Sequence, residues 1–583
     1  MFDLIGRSVY RLRWPIVILW GVACLLGLPL APMLPGVLKA GGYADLSLES
    51  QRASLALETV LGWQSSSLIV VFHSDTLTVA DPRFMSAARE TMTRLVGIPG
   101  VGSITTFQDN PRQIAPNGHT AYDTIDLRVA PEDAHHLLPA VRAALHSDVL
   151  EVDLTGPPAF YADVETVSEQ DLRRAEILTF PIALFALALV FGAIVAAATP
   201  VIIGGVAVVI ALAALAVLGH LTDLSIFVLN VVTMLGLGLG TDYSLFMVSR
   251  FREEQRRRDT AAAVRVTVAT AGRAVAFSGA AVLVGLLGLL TFRFMMLRSL
   301  GAAGVVVVSL TVLAALTLLP ALLGILGPRI NSLPIGPSWE MRNALWERLA
   351  GWVMPRSGRV IVPALVLLVG LGVPFLQAHL SLPDARVLPV TVSSRRGADI
   401  LERDFGASDL TPIVIVVQTS GSIFTPEHLA ALDRLVRALK ADPRVRGVTS
   451  IVSLDPRLTL AQYQLLYADP SRIPDPYVAL AAHRLARGST TAVIVTTRSP
   501  SIAPETEDLV RAIRAYDPGG GLHLMVDGSA GAAVDIVAAL YQQFPRALLL
   551  IIGLTYLSLF LLFQSVILPL KAILMDALSL FAS

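Results

Sequence analysis

Two side chains able to move a proton, Asp242 and Tyr243, stand inside the otherwise uncharged run Ile226–Val248. A run of about 20 apolar residues crosses a bilayer as a helix. A carboxylate at membrane depth costs roughly 2.5–3.5 kcal/mol on insertion scales, and acids kept there mark proton or ion paths. A carboxyl group taken out of water holds its proton more tightly. It can then load a proton from one side of a membrane and release it to the other. A neighbouring phenol can donate a hydrogen bond to the carboxylate or orient a water. The competing reading makes Asp242 a helix-end marker and Tyr243 an interfacial anchor. Against it, the apolar or small residues Ser244–Val248 follow before the first charge, Arg250, which lies about 12 Å of helix rise further on.

Three glycines, Gly236, Gly238 and Gly240, precede the acid and are assigned to helix packing. Gly236 and Gly240 fall on one helix face, a spacing that lets a second backbone approach closely. A second acid, Asp576, sits in a later apolar run and is a candidate second titrating group. Lys571 is close enough along the chain to be its ion-pair partner instead. Matching Pro569 with Pro200 sets Asp576 opposite apolar Ala207.

The elements that must position these residues follow from hydropathy. Of the 583 residues, 54% are hydrophobic and 15% charged, with zero formal net charge and a mean hydropathy of +0.66. That composition describes a polytopic membrane protein with sizeable soluble parts. It gives no bulk charge argument for a nucleic-acid partner, and none is expected. Cys24 is the single cysteine, so no disulfide within the chain or cysteine-based metal site can form.

The organisation expected is as follows. Residues 1–31 carry Arg7, Arg11 and Arg13 ahead of a first span, and the arginines place the N-terminus in the cytoplasm. The run is longer than a signal-peptide core. Residues 32–175 form a first soluble domain. Its strands are Ser67–Phe72, Val101–Phe107, Ala121–Val129 and Leu150–Leu154, and its helices Pro82–Leu95 and Pro131–Leu145, in the order β-α-β-β-α-β of a ferredoxin-like fold. Five spans fill residues 176–327, beginning near Ile177, Val201, Ile226, Ala274 and Leu300. The arginine-rich stretch Ser249–Arg273 lies between the third and fourth of these five, on the cytoplasmic side, where topology and lipid headgroups account for its charge.

Residues 328–359 interleave Arg329, Arg342, Arg348, Arg356 and Arg359 with Trp339, Trp346 and Trp352, the pattern of an amphipathic linker lying in the membrane interface. RNA binding is the alternative that composition allows there. A seventh span occupies 360–376 and a second soluble domain 377–545. The latter has strands Thr411–Gln418, Val445–Val452, Thr490–Thr497 and Leu522–Val526, helices Pro426–Leu439 and Pro504–Ala515, and a polar, proline-rich insertion, Asp455–Ser489. An eighth span and a partial ninth complete residues 546–583.

Gly156 and Pro200 in the first half answer Gly528 and Pro569 in the second, and SQR (Ser50–Arg52) answers SRR (Ser394–Arg396) ahead of the soluble domains. An internal duplication is the economical explanation. The first half has six spans and the second at most three, so a piece of a twelve-helix protein, ending before helix ten, is expected.

The stretch GLGLGTDYSLFMVSRFREE (Gly236–Glu254) resembles, nearly residue for residue, the fourth transmembrane helix of the MMPL family, the mycobacterial membrane protein large type of the resistance-nodulation-division transporters. The likeness extends over essentially the whole chain, including FQSVILPLKA (Phe563–Ala572). It implies an α-helical polytopic membrane protein with two extracytoplasmic α+β porter domains, in the bacterial inner or plasma membrane. It implies export of lipids or other hydrophobic molecules, driven by the proton gradient without any bound cofactor, with Asp242 and Tyr243 as proton relay. The family's second relay acid lies in helix ten, beyond this sequence. Membrane lipids and a lipidic substrate are the partners implied; whether the chain pairs with copies of itself stays open. The alternative is a non-transporting membrane scaffold or lipid-binding protein. Enzyme activity is not expected, since GxSxG, a phosphate loop, a Cys/His pair and His-rich metal spacing are all missing. His135 and His136 are adjacent and are expected to point apart on a helix.

Overall fold

The computed structural model describes residues 2–43, 45–64, 66–129, 133–334, 348–377, 382–406, 411–468, 473 and 476–582. The chain divides into two compact units. One comprises residues 1–42, 169–379 and 543–583; the other comprises 43–168 and 380–542.

The first unit is helical. Eight helices among the described residues are long and apolar enough to cross a membrane: 13–37, 157–191, 194–219, 228–255, 260–289, 295–331, 348–375 and 529–561. They include α1 (Arg13–Leu30), α5 (Pro157–Phe191), α6 (Ile194–Gly219), α7 (Val228–Gln255), α8 (Arg273–Leu289), α9 (Met295–Leu316), α10 (Ser357–Gly372) and α14 (Ser529–Phe563). A further helix, α15 (Ile567–Ala582), has 16 residues. Two helices start far ahead of their apolar runs. The sequence places the second span from Ile177 and the eighth from Ala547, whereas α5 begins at Pro157 and α14 at Ser529. Hydropathy sees only the membrane-depth part; the backbone ladder itself needs no apolar side chains and continues through polar residues.

The expected span over 300–326 is broken at Thr317, between α9 and Leu318–Leu326. There the hydroxyl donates to the Leu313 carbonyl and accepts from Trp20 Nε1 at 3.1 Å. Of the expected interfacial linker, Trp339, Arg342 and Trp346 fall outside the described residues. Beyond them, Arg356 lies over the exposed Trp352 ring, 5.8 Å from its centroid.

The second unit holds two antiparallel sheets. Strands β1 (Ser67–His73), β2 (Val101–Thr105), β3 (Thr120–Leu127) and β4 (Glu151–Thr155) lie in the order β2-β3-β1-β4. Strands β5 (Ile413–Gln418), β6 (Val445–Thr449), β7 (Thr490–Thr497) and β8 (His523–Asp527) lie in the matching order β8-β5-β7-β6. Helices α3 (Pro82–Thr93) and α4 (Leu138–Ala144) pack on the first sheet through Phe84, Ala88, Leu138 and Val141. Helices α12 (Pro426–Ala441) and α13 (Pro504–Ala515) pack on the second through Leu432, Leu435, Leu509 and Val510. Each long helix starts with the chain turned by a glycine in the left-handed region, Gly156 (φ 106°) and Gly528 (φ 95°), which costs other residues strain.

The helix expected from Pro131 shrinks to α4, preceded by a 3₁₀ turn, Ala134–His136. On that turn the rings of His135 and His136 lie 3.9 Å apart rather than pointing away from each other. The insertion at 455–489 is less polar in the fold than in composition. Its Tyr463 and Tyr467 are buried, with rings stacked 5.9 Å apart, as part of the second sheet's core.

The two halves of this unit exchange helices. Helix α2 (Glu49–Ala56), which precedes the first sheet, packs on β8 of the second, with Ala53 and Ala56 in that core. Helix α11 (Ser393–Phe405), which precedes the second sheet, packs on β4 and β1 of the first, through Ile400 and Leu401 against Val71. A Cβ at Gly397 would stand 3.2 Å from Thr155 Cβ, so glycine sets how closely α11 approaches its strand.

Candidate functional site

Helix α7 has two unlike faces. Gly236 and Gly240 lie on the packed one. A Cβ at Gly240 would stand 2.6 Å from Gly204 Cα of α6, and one at Gly236 would collide with Val208 of α6 and Val307 of α9. Small residues at this spacing are what permits such backbone approach in a membrane helix bundle. Gly238 does not share this role: among the described residues nothing lies within 4 Å of the position its Cβ would take. Three glycines two residues apart cannot all face one neighbour in a helix that turns about 100° per residue.

On the other side run Met234, Gly238, Asp242 and Phe246, four residues apart and all exposed. Asp242 is therefore uncovered by any described element, where the sequence suggested burial. Its neighbour Tyr243 turns inward and is 6% exposed, packed with Met247 and Ala314 in a helical core. The Tyr243 hydroxyl lies beside Ser278 of α8 and has no hydrogen-bond partner among the described residues. Ser244 Oγ, also buried, is likewise unpartnered. Adjacent in sequence, the acid and the phenol thus open onto different surroundings.

The polar end of α7 is fixed by charge. Arg250 pairs with Glu253 and Glu254 at 2.7 Å each, and Arg258 with Glu254 at 2.9 Å. Arg252 donates to the Phe191 carbonyl at 2.6 Å and to Asn331 Oδ1 at 2.7 Å, tying α7 to the end of α5. A cavity of 690 Å³ opens among Phe246, Arg250, Glu253, Arg257 and Thr270. Asp576 is exposed on α15, which packs against α10, and forms no ion pair with Lys571. The structure brings neither of these two to Asp242.

In the sheet-bearing unit, a cavity of 400 Å³ opens between the sheets, bordered by Ser67, Thr155, Arg386, Glu402 and Gly528. Its rim carries the Arg386–Glu402 pair at 2.7 Å and the Arg395–Asp399 pair at 2.7 Å.

Sequence reading marked Ser50 and Ser394 as equivalent but missed the acids they meet. The Ser394 N–H donates to Asp163 at 3.2 Å and the Ser50 N–H to Asp535 at 2.8 Å. Both acids follow their turn glycine by the same interval, and that regularity was the available signal. Among the described residues, no group of His, Cys, Asp and Glu is arranged to hold a metal ion.

The chain matches the MMPL family model over residues 44–360 and 386–583. It is 30% identical to a putative membrane protein of Streptomyces coelicolor across its full length, covering 76% of that protein. It is 27% identical to the trehalose monomycolate exporter MmpL3 of Mycobacterium tuberculosis, again across its full length but covering 63% of that protein. The sulfolipid-1 exporter MmpL8 of the same organism is 27% identical over 77% of the chain and 43% of the exporter. The chain thus spans less than two thirds of the length of these mycobacterial relatives. In fold it is similar to the hedgehog release protein Disp from the water bear Hypsibius dujardini, with a TM-score of 0.61 at 12% identity, covering 100% of this chain and 85% of that one.

Proposed function

We propose that this chain, which belongs to the MMPL family, serves proton-motive-force-driven export of lipids or other hydrophobic molecules across the inner or plasma membrane. The observation that carries the reading is Asp242, a carboxylate midway along a 28-residue membrane-length helix whose opposite face is locked by Gly236 and Gly240. Asp242 is the proton-carrying group, and the inward-facing Tyr243 is the second member of the relay. Each proton driven by 100 mV supplies about 2.3 kcal/mol, enough for one or a few to shift a conformational equilibrium usefully. Asp576 is carried as a secondary titratable site. No cofactor enters; the gradient is the energy source.

In this reading the arginine-rich ends of α1 and α7 face the cytoplasm by the positive-inside rule, and the sheet-bearing unit is extracytoplasmic. Its two βαββαβ sheets are ferredoxin-like porter domains, and the shared strand order supports an internal duplication of the chain. The relatives named as exporters of trehalose monomycolate and sulfolipid-1 support a lipidic cargo. The cavity between the sheets is the place proposed to receive it.

The test is Asp242→Asn in the intact transporter, read as export of a hydrophobic reporter from energised cells. Export falls at least tenfold while membrane insertion is unchanged. Export that persists in the variant, or that ignores a protonophore in the unaltered protein, sinks the reading in favour of a non-transporting scaffold that binds lipids.

A further inference from the structure

Along β3 the residues Ala121, Ile125 and Leu127 point into the core between sheet and helices. Asp123 occupies the same register and is 1% exposed. A strand alternates its faces strictly, so this is a carboxyl where the fold asks for an aliphatic side chain. It accepts the Phe107 N–H at 2.7 Å, and no cation is paired with it among the described residues. Burial pushes its carboxyl up to about 7, against the pull of that one N–H.

The carboxyl forms part of the wall of a cavity of 230 Å³, with Arg89, Thr93, Thr106 and Gln108 as the other polar groups and Met92 and Ile104 as apolar ones. A second cavity, of 590 Å³, adjoins it and is bordered by Val79, Ala80, Met85, Pro111 and Ile114. Arg89, Phe107 and Gln108 border both. Arg89 donates to Gln108 Oε1 at 2.8 Å across the join. Phe107 is held there by edge contacts with Phe72 and Phe84, at 6.4 and 6.2 Å.

We propose that these joined cavities bind a single-chain amphiphile, with a neutral, hydroxyl-rich head group against Asp123 and its alkyl chain along the Met85–Ile114 trough. A buried carboxyl repels an anionic head, and Arg89 at the mouth repels a cationic one. Hydroxyls both donate and accept, which suits a carboxyl, two threonines, an amide and a guanidinium at once. Beyond Arg89 and Gln108 the neighbouring trough runs along Val79, Ala80, Met85, Pro111 and Ile114, the apolar lining an alkyl chain needs. This site lies between α3 and strands β2 and β3 of the first sheet. It involves neither Asp242 nor the cavity between the sheets, so its failure leaves the export reading standing.

The experiment uses the full chain in lipid nanodiscs and an octyl glucoside carrying a diazirine on its alkyl chain, with labelled peptides mapped by mass spectrometry. Labelling is expected within residues 79–114, competed by unlabelled octyl glucoside and at least tenfold less well by octyl sulfate or octyltrimethylammonium. Asp123→Leu fills the head pocket with the side chain the core pattern favours and lowers labelling at least tenfold. Ala80→Trp and Thr93→Phe, both at exposed positions, block the trough and the head pocket without touching the core and give the same loss. Labelling outside residues 79–114, equal competition by the charged amphiphiles, or unchanged labelling in Ala80→Trp and Thr93→Phe overturns the proposal.

Discussion

Asp163 on α5 and Asp535 on α14 hold equivalent posts in the two halves of the sheet-bearing unit. Each pairs with an arginine of its own half, Arg142 at 2.6 Å and Arg514 at 2.7 Å. Each also accepts the backbone N–H at the start of the exchanged helix, Ser394 of α11 for Asp163 and Ser50 of α2 for Asp535. The first turn of a helix leaves N–H groups without partners, so a carboxylate there both satisfies a donor and fixes where the helix begins. Further ionic contacts differ between the halves: Arg396 reaches back to Asp153 at 2.9 Å, while Glu49 reaches Arg514 at 2.8 Å.

Asp163→Asn therefore loosens α11, and Asp535→Asn loosens α2. A charged hydrogen bond at a nearly buried acid contributes roughly 1.5–3 kcal/mol. Amide exchange in residues 393–405 should rise roughly ten- to a hundredfold in the first variant, with residues 49–56 unchanged, and the reverse in the second. Equal loosening of both helices by either variant would show that the exchanged helices are not held separately.

The glycines of α7 make opposite predictions. Gly240→Ala forces α6 and α7 apart at the Gly204 contact and costs about 1–3 kcal/mol by overpacking. Gly238→Ala meets open space and gains helix propensity, up to about 1 kcal/mol. Thermal unfolding in nanodiscs should show a lower Tm for the first and an unchanged or higher Tm for the second.

Tyr243→Phe separates packing from proton handling. The ring fills the core, whereas the buried hydroxyl, beside Ser278, makes no hydrogen bond among the described residues, so removing it leaves stability level or slightly improved. Export by the intact transporter should nonetheless fall about tenfold or more if the hydroxyl serves the carboxylate. Wild-type export from a well-folded Tyr243→Phe protein would remove the phenol from the relay.

Asp123 makes the sheet-bearing unit pH-sensitive in a direction set by burial. Its carboxyl moves from the ordinary 3.8 to about 7 on folding, so the native state binds more protons than the unfolded state between those values. Stability consequently falls as pH rises through that window, by at most about 4 kcal/mol. Below about 4 the penalty is absent, and above about 7 it is complete. Asp404 acts in the opposite sense: hydrogen bonds from Arg403 and Thr120 overcome its burial and hold it down to about 2, so its contribution is present above 3.8 and is lost as pH falls toward 2. Asp123→Leu isolates the first effect. The Tm advantage of this variant over the unaltered protein should grow from pH 5 to pH 8, and a constant difference would contradict it.

The sequence by itself determined the parts that depend on local pattern. Apolar run length marks the membrane-length helices, because a bilayer tolerates only backbone that bonds to itself. Alternation and turn residues mark the strands, because a pleated strand sends successive side chains to opposite faces. The TDYS stretch singled out Asp242 before any packing was known, because an acid in an apolar run is costly wherever it ends up. Tertiary structure alone decided what each residue faces. Helical phase put Gly240 against Gly204, left Gly238 free and set Asp242 and Tyr243 on different sides, and phase has no meaning until neighbours are placed. The exchange of α2 and α11 between sheets, and the carboxylates of Asp163 and Asp535 that pin them, join residues hundreds of positions apart. Such contacts are set by which surfaces bury the most apolar area together, a property of the whole chain that no local window contains.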